Sequence, residues 1–139
     1  MRQLTHQITL KTQGRHLYDF TGEVSDWAAS SGMATGLLTL YIRHTSASLL
    51  INENYDSDVL VDMERFFARL VPDGDPLFVH TIEGPDDMPA HVRTALTQTH
   101  LSIPLINGRL ALGQWQGIFL YEHRLMHAIR KVVLHLMGE

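Results

Sequence analysis

The 139-residue chain reads as one α+β domain, with about seven strands in a mixed or antiparallel sheet and about three helices. Three features point to it. Leu4, His6, Ile8 and Leu10 alternate with Gln3, Thr5, Gln7, Thr9 and Lys11 at the period of a half-buried strand. Asn107-Gly108 separates residues 101–106 from 109–112, a hairpin signal because this dipeptide tolerates the positive φ angles of a type I′ turn. Val59, Leu60, Met63, Phe66, Phe67 and Leu70 recur at helical spacing. The length suits a single core, so residues 1–139 form one domain.

In chain order, residues 3–11 predict an edge or outer strand. A short mixed segment around 17–20 leads into a helix over 21–30, where Val24, Trp27 and Ala28 share a face. Residues 36–43 form a near-continuous apolar run of strand formers that leads straight into His44-Thr45-Ser46-Ala47-Ser48. The helix over 56–70 is capped by Asp56 or Ser57 and stops before Pro72. Residues 77–81 predict a strand that delivers His80. A helix over 88–98 follows, its start set by Asp87 or Met88 with Pro89. The hairpin and strands over 118–121 and 129–137 complete the fold, with no internal repeat or linker.

Composition narrows the function. Without cysteine there is no disulfide, no thiolate nucleophile and no Cys-based zinc ribbon, so a metal site must use His, Asp, Glu and water. A net charge of −4 without a basic stripe argues against nucleic acid. No apolar run reaches the roughly 18 residues of a membrane span, and the first residues lack a secretory pattern, so the expected compartment is the cytoplasm. Nine of the eleven cations are arginines, a bias compatible with a phosphorylated or carboxylated small ligand.

The densest chemistry lies in His80-Thr81-Ile82-Glu83-Gly84-Pro85-Asp86-Asp87-Met88-Pro89-Ala90-His91, two imidazoles and three carboxylates in one short segment. An open metal site uses about three protein ligands and a water. His80 and His91 supply two; His44 is the first choice for the third and His123 the second. One of Asp86 and Asp87 is expected to favour the helix N-terminus, leaving Glu83 or the other carboxylate free for chemistry. If residues 40–48 stay extended, His44, Ser46 and Ser48 share one face, where they suit phosphate or carboxylate oxygens as well as a capped strand end. Glu122 and His123 end another apolar strand and point to opposite faces. His123 beside Arg124 fits an acid/base with an anion clamp, or an exposed strand end. Trp115 reads as packing. Asp58, Asp62, Arg65 and Arg69 read as a solvated helix stripe.

Three segments, His44-Thr45-Ser46-Ala47-Ser48-Leu49 with Asn52-Glu53-Asn54, then residues 83–91, then 115–124, resemble the YjbQ-like family, and the likeness extends over nearly the whole chain, including residues 62–67. The resemblance implies an α+β fold, a homotrimer and a divalent metal site formed by His44, His80 and His91, with zinc the leading ion. Carried over by position, it marks Glu83, Asp87, Glu122 and His123 as catalytic candidates, and Ser46, Ser48, Asn52, Trp115 and Arg124 as substrate contacts. Asp56 and Asp86 match as well. Gln98 and Gln114 stand where the family pattern usually has glycine and threonine, which bears on local backbone geometry. Members are often labelled secondary thiamine-phosphate synthases. The expected activity is therefore metal-associated chemistry on a small phosphorylated metabolite, the alternatives being a metal-dependent hydrolase or a non-catalytic metal- or metabolite-binding trimer.

Overall fold

A computed structural model describes all residues from Met1 to Glu139. In order the elements are β1 (Arg2–Gln13), β2 (His16–Asp19), α1 (Thr21–Ser30), β3 (Gly36–Ile42), β4 (Ala47–Glu53), α2 (Ser57–Leu70), α3 (Asp87–Leu96), β5 (His100–Ile106), β6 (Arg109–Leu110), β7 (Gln116–Glu122) and β8 (His127–Gly138). Every strand pairing is antiparallel. The strands form a five-stranded sheet ordered β1-β8-β3-β5-β6 and a three-stranded sheet ordered β2-β7-β4. β1 occupies an edge, as its alternation predicts.

The two sheets bury a common core. Leu38, Leu40, Ile42, Val132, Leu134 and Leu136 from the large sheet meet Ala47, Leu49, Ile118 and Leu120 from the small one, with Val24 and Ala28 of α1 joining them. The small sheet is covered on its other face too. There Leu17, Phe119 and Tyr121 pack with Phe67, Leu60 and Met63 of α2, while α3 lies against β4. Burial on both faces explains why β7 reads as a continuous apolar run rather than an alternating one. Successive β7 side chains therefore enter different layers: Ile118 and Leu120 lie between the sheets, Phe119 and Tyr121 under α2.

Two local predictions hold closely. The Asp56 carboxylate caps α2 by accepting from the Asp58 amide at 2.9 Å. Asn107 (φ 51°) and Gly108 (φ 78°) turn β5 into β6 with both residues at positive φ. Gln98 has no such strain; its carbonyl accepts from the Leu49 amide at 2.7 Å, so the place of the usual glycine is taken without left-handed backbone.

Two predictions need correction. Residues 77–81 form no strand, because no neighbouring strand offers them a ladder; Leu77, Val79 and Ile82 stand 77%, 96% and 90% exposed. The extended run past Arg43 breaks at Ile42, and the chain crosses into the small sheet as β4. His44, Ser46 and Ser48 therefore lie on a connection and a new strand, not along one continuous face. β2 and β4 were not expected as strands, and they bring the total to eight. No helix is long and apolar enough to cross a membrane.

Candidate metal centre

Helical spacing places Asp87 and His91 of α3 on one face, one turn apart. The preceding loop turns back at Gly84 (φ 103°), setting Glu83 and His80 against that face. Ligand-capable atoms of His80, Glu83, Asp87 and His91 all lie within 4.8 Å of one another. Asp87 Oδ2 is the hub, 2.7 Å from His80 Nε2 and 3.0 Å from His91 Nε2. Glu83 Oε2 lies 3.7 Å from His80 Nε2 on the open side. A cavity of about 300 Å³ adjoins His80, walled by Gly74, Phe78, Pro85, Met88 and Pro89.

Arg124 ties these pieces together. Its guanidinium meets Asp87 Oδ1 at 2.8 Å and Asp86 Oδ2 at 3.0 Å, and donates to the Glu83 carbonyl at 2.9 Å. Asp86 also accepts from the Leu125 amide at 3.0 Å, so its carboxylate docks the β7–β8 turn; it makes no side-chain cap to α3, while Asp87 stands in the first turn of the helix, where its charge favours the N-terminus as expected. Burial works to raise the Asp87 pKa, but hydrogen bonds from His80 and Glu83 and the charges of His91 and Arg124 outweigh it, and the group is lowered to about 2. Asp87 is therefore a buried carboxylate at neutral pH.

The hydrogen-bond pattern on His91 exposes an imbalance. Its Nδ1 is 2.8 Å from the Thr45 carbonyl, which can only accept, so the proton of a neutral ring sits there. Nε2 then presents a lone pair to Asp87 Oδ2 at 3.0 Å. Two acceptors at that separation repel unless a proton or a cation lies between them. The Thr45 carbonyl is also the kind of outer partner that orients a metal-ligating imidazole.

The other predicted residues lie elsewhere. His44 is outside the cluster: its Nε2 accepts from the Lys131 amide at 2.8 Å, and burial followed by the charge of Arg130 holds its pKa below the ordinary value. Its expected partnership with His80 and His91 is not seen within one chain. Ser46 accepts from Arg130 at 2.9 Å. Ser48 is fully buried between Thr97 and His123, so it has no access to a ligand. Asn52 sits toward the far end of the small sheet, about 17 Å along β4 from Ala47, and Trp115 lies just beyond that end. Trp115 lies there against Tyr55, centroids 4.8 Å apart with the rings tilted 56°, and stands 49% exposed.

Glu122 and His123 do point to opposite faces, but neither is an exposed strand end; both are fully buried. Glu122 lies between the sheets, paired with Arg130 and accepting from Thr12 at 2.7 Å. His123 lies under the helices with Nε2 on Ser48 at 2.8 Å and Nδ1 unpartnered. Burial, then Arg93, Arg15 and Arg130, lowers its pKa to about 3, so it is a neutral interior ring and not an acid/base at the cluster.

The residue-by-residue reading missed three interior ionic groups. Arg130 occupies the inward register of β8 with Val132, Leu134 and Leu136, a charge in an apolar series that the alternation could have flagged. Arg93, fully buried on α3, shares Glu64 with Tyr121, whose hydroxyl donates to the same carboxylate. Burial and Glu64 raise the Tyr121 pKa. Arg15 accompanies them, bound to Asp73 at 2.8 Å.

Comparison with known proteins agrees with this architecture. A UPF0047 protein of Synechocystis sp. is 50% identical over 138 residues, covering 99% of this chain and 94% of its own. The UPF0047 protein YjbQ of Salmonella typhimurium is 44% identical over 133 residues, covering 95% and 96%. The crystal structure of a hypothetical protein from Aeropyrum pernix K1 superposes with a TM-score of 0.89 at 32% identity, covering 98% of this chain and 99% of that one. The family model for UPF0047 protein YjbQ-like sequences matches residues 6–139, and with relatives this similar over nearly its full length the chain belongs to the YjbQ-like UPF0047 family.

Proposed function

We propose that the chain is a metal-associated enzyme acting on a small phosphorylated metabolite, with a divalent ion held by His80, Asp87 and His91 and with Glu83 beside it. One observation carries this: both imidazole Nε2 atoms converge on Asp87 Oδ2, and His91 has already committed its proton to Thr45. Two imidazole nitrogens with carboxylate oxygens inside 4.8 Å make a donor set that suits zinc first among the ions His and carboxylate ligands accept. A divalent ion supplies Lewis-acid stabilisation of charge on phosphate oxygens.

The chain's own residues do the rest. Arg124 fixes the orientation of Asp87 and of the loop carrying Glu83. The Glu83 side chain is 60% exposed and hydrogen-bond-free apart from its neighbours in the cluster, so it is the carboxylate placed to move a proton to or from substrate. In the transferase version, the thiazole nitrogen of a thiazole phosphate forms a C–N bond to the methylene of a pyrimidine diphosphate while the C–O bond to pyrophosphate breaks. In the hydrolase version, water attacks the phosphorus of a phosphoester, a new P–O bond forms as the P–O bond to the alcohol breaks, and the alcohol leaves with a proton. A homotrimer is part of the proposal: Leu77, Val79 and Ile82 around His80, and Leu37, Tyr41, Ile129 and Met137 on the uncovered face of the large sheet, are exposed apolar surface that neighbouring copies would cover.

The deciding experiment is metal content per chain in tag-free protein, comparing wild type with His80→Ala and His91→Ala. About one ion per chain, lost in both variants, supports the site; equal metal in all three, or none in wild type, removes it. Thiamine phosphate formed from the two substrates above a His80→Ala control would select the transferase. Chelator-sensitive turnover of generic phosphoesters would select the hydrolase. Metal-dependent thermal stabilisation without turnover would leave a binding protein.

A further inference from the structure

Next to the metal centre lies a second group of polar side chains whose hydrogen bonds do not close. The His44 ring accepts from the Lys131 amide through Nε2 at 2.8 Å, a backbone donor that cannot be reversed. A neutral imidazole must then carry its proton on Nδ1. Yet Nδ1 faces Arg130 NH1 at 3.4 Å, and a guanidinium nitrogen can only donate. Two N–H donors are therefore aimed at the same space, with no acceptor of the protein between them.

The remaining valences of Arg130 sharpen the point. Nε and NH2 are held by the two oxygens of Glu122, and NH2 also meets the Ser46 hydroxyl oxygen at 2.9 Å. NH1 has His44 alone. Because Ser46 Oγ accepts from Arg130, its own proton is free to donate. Arg130 is 7% exposed and braced by a fully buried carboxylate, whereas His44 and Ser46 are half-exposed, so the donors form a fixed base with an open mouth. Arg43 and Lys131 lie near enough to bear on His44 and add positive charge there, opposed by Glu122 behind Arg130. Arg130 also walls an open groove of about 730 Å³ together with Lys11, Gln13 and His127.

We infer that His44 Nδ1–H, Arg130 NH1–H and the Ser46 hydroxyl form a cradle for one phosphate group of the substrate. Three donors around a buried guanidinium match a tetrahedral oxyanion, and charge-assisted bonds of this kind are the strong ones. The cradle keeps Ser46 but not the other contacts first expected to hold phosphate, since each nitrogen of Arg124 is engaged by Asp86, Asp87 or the Glu83 carbonyl and Ser48 is buried. The connection to the metal centre is short: Thr45, between His44 and Ser46, provides the carbonyl that orients His91. A substrate anchored here by phosphate would present its other end toward His80 and His91; that orientation rests on the metal-centre reading, whereas the cradle itself does not.

The test is a titration of metal-free protein with inorganic phosphate, followed by NMR of the histidine rings and by calorimetry. The expected result is saturable binding that shifts the His44 ring signals, weakened about tenfold or more by His44→Leu and by Ser46→Ala, and unchanged in His91→Ala. Absence of saturable binding up to about 10 mM phosphate overturns the cradle. So does binding that both His44→Leu and Ser46→Ala retain at wild-type strength while their thermal unfolding stays cooperative. Metal loading of the same samples separates the two readings: phosphate binding without metal uptake keeps the cradle and removes the metal centre, and metal uptake without phosphate binding does the reverse.

Discussion

Asp87 and His91, one helical turn apart on α3, face each other across 3.0 Å while the far nitrogen of His91 is bonded to the Thr45 carbonyl. A carboxylate and a bare imidazole nitrogen at that distance require a positive species between them, and His80 at 2.7 Å offers a third side to it.

Replacing Asp87 by Asn keeps the shape of the side chain and removes its charge. Affinity for a divalent ion should fall by more than about 100-fold, since a ligand is lost and outer-shell changes alone cost 10–100-fold. Competition with a chelating dye measures it directly. Wild-type affinity in D87N would place the ion elsewhere.

The Glu122–Arg130 pair is buried between the two sheets, and Thr12 and the Arg124 amide also bond to the carboxylate. Arg130→Met leaves that carboxylate charged without its partner, and should cost about 3–5 kcal/mol in urea unfolding. The double change Glu122→Leu with Arg130→Met should cost less than the single one, because no uncompensated charge remains. An additive double variant would contradict the pairing.

Acid sensitivity should come partly from His123. Its folded pKa is depressed to about 3, while an unfolded histidine titrates near 6.5, so between these values the unfolded chain binds a proton that the native chain refuses. Stability therefore falls as pH drops through that window, by roughly 2 kcal/mol between pH 7 and 5. His123→Gln should show a smaller loss over the same interval. Asp87 adds nothing there: with a folded pKa of about 2 against an unfolded value near 3.9, its contribution is complete above about pH 4 and is lost as pH falls through 2.

Trp115 lies with Tyr55 at the end of the small sheet opposite the cluster. Trp115→Ala should leave metal content and phosphate binding unchanged and cost about 1 kcal/mol of stability from the lost aromatic pair. A loss of either ligand in this variant would mean that the two ends of the sheet communicate, within the chain or across copies.

Much of the fold was legible in the residues. Alternation in residues 3–11, the Asn107-Gly108 turn and the apolar spacing of residues 59–70 each act locally, through side-chain period and backbone preference, and each became the expected element. The exceptions have one cause. Residues 77–81 look like a strand but find no partner, and residues 47–53, not expected as a strand, pair with β7, because strand formation depends on a neighbour that no local pattern specifies. The candidate site divides in the same way. His80, Glu83, Asp87 and His91 are close in sequence, and helical geometry with one glycine turn suffices to gather them.

The sequence by itself determined the α+β class, the absence of cysteine chemistry, the cap of α2, the Asn107-Gly108 turn, and the segment that would carry the densest set of ligands. Only the tertiary structure decided which similar-looking polar residues belong together. Two apolar strands lead into His44 and into Glu122-His123, but the second is covered on both faces, so its ionisable groups are locked into interior contacts while His44 and Ser46 keep an open side. Burial and pairing depend on which surfaces meet across the sheets, and that information lies in packing between distant segments rather than in any one of them.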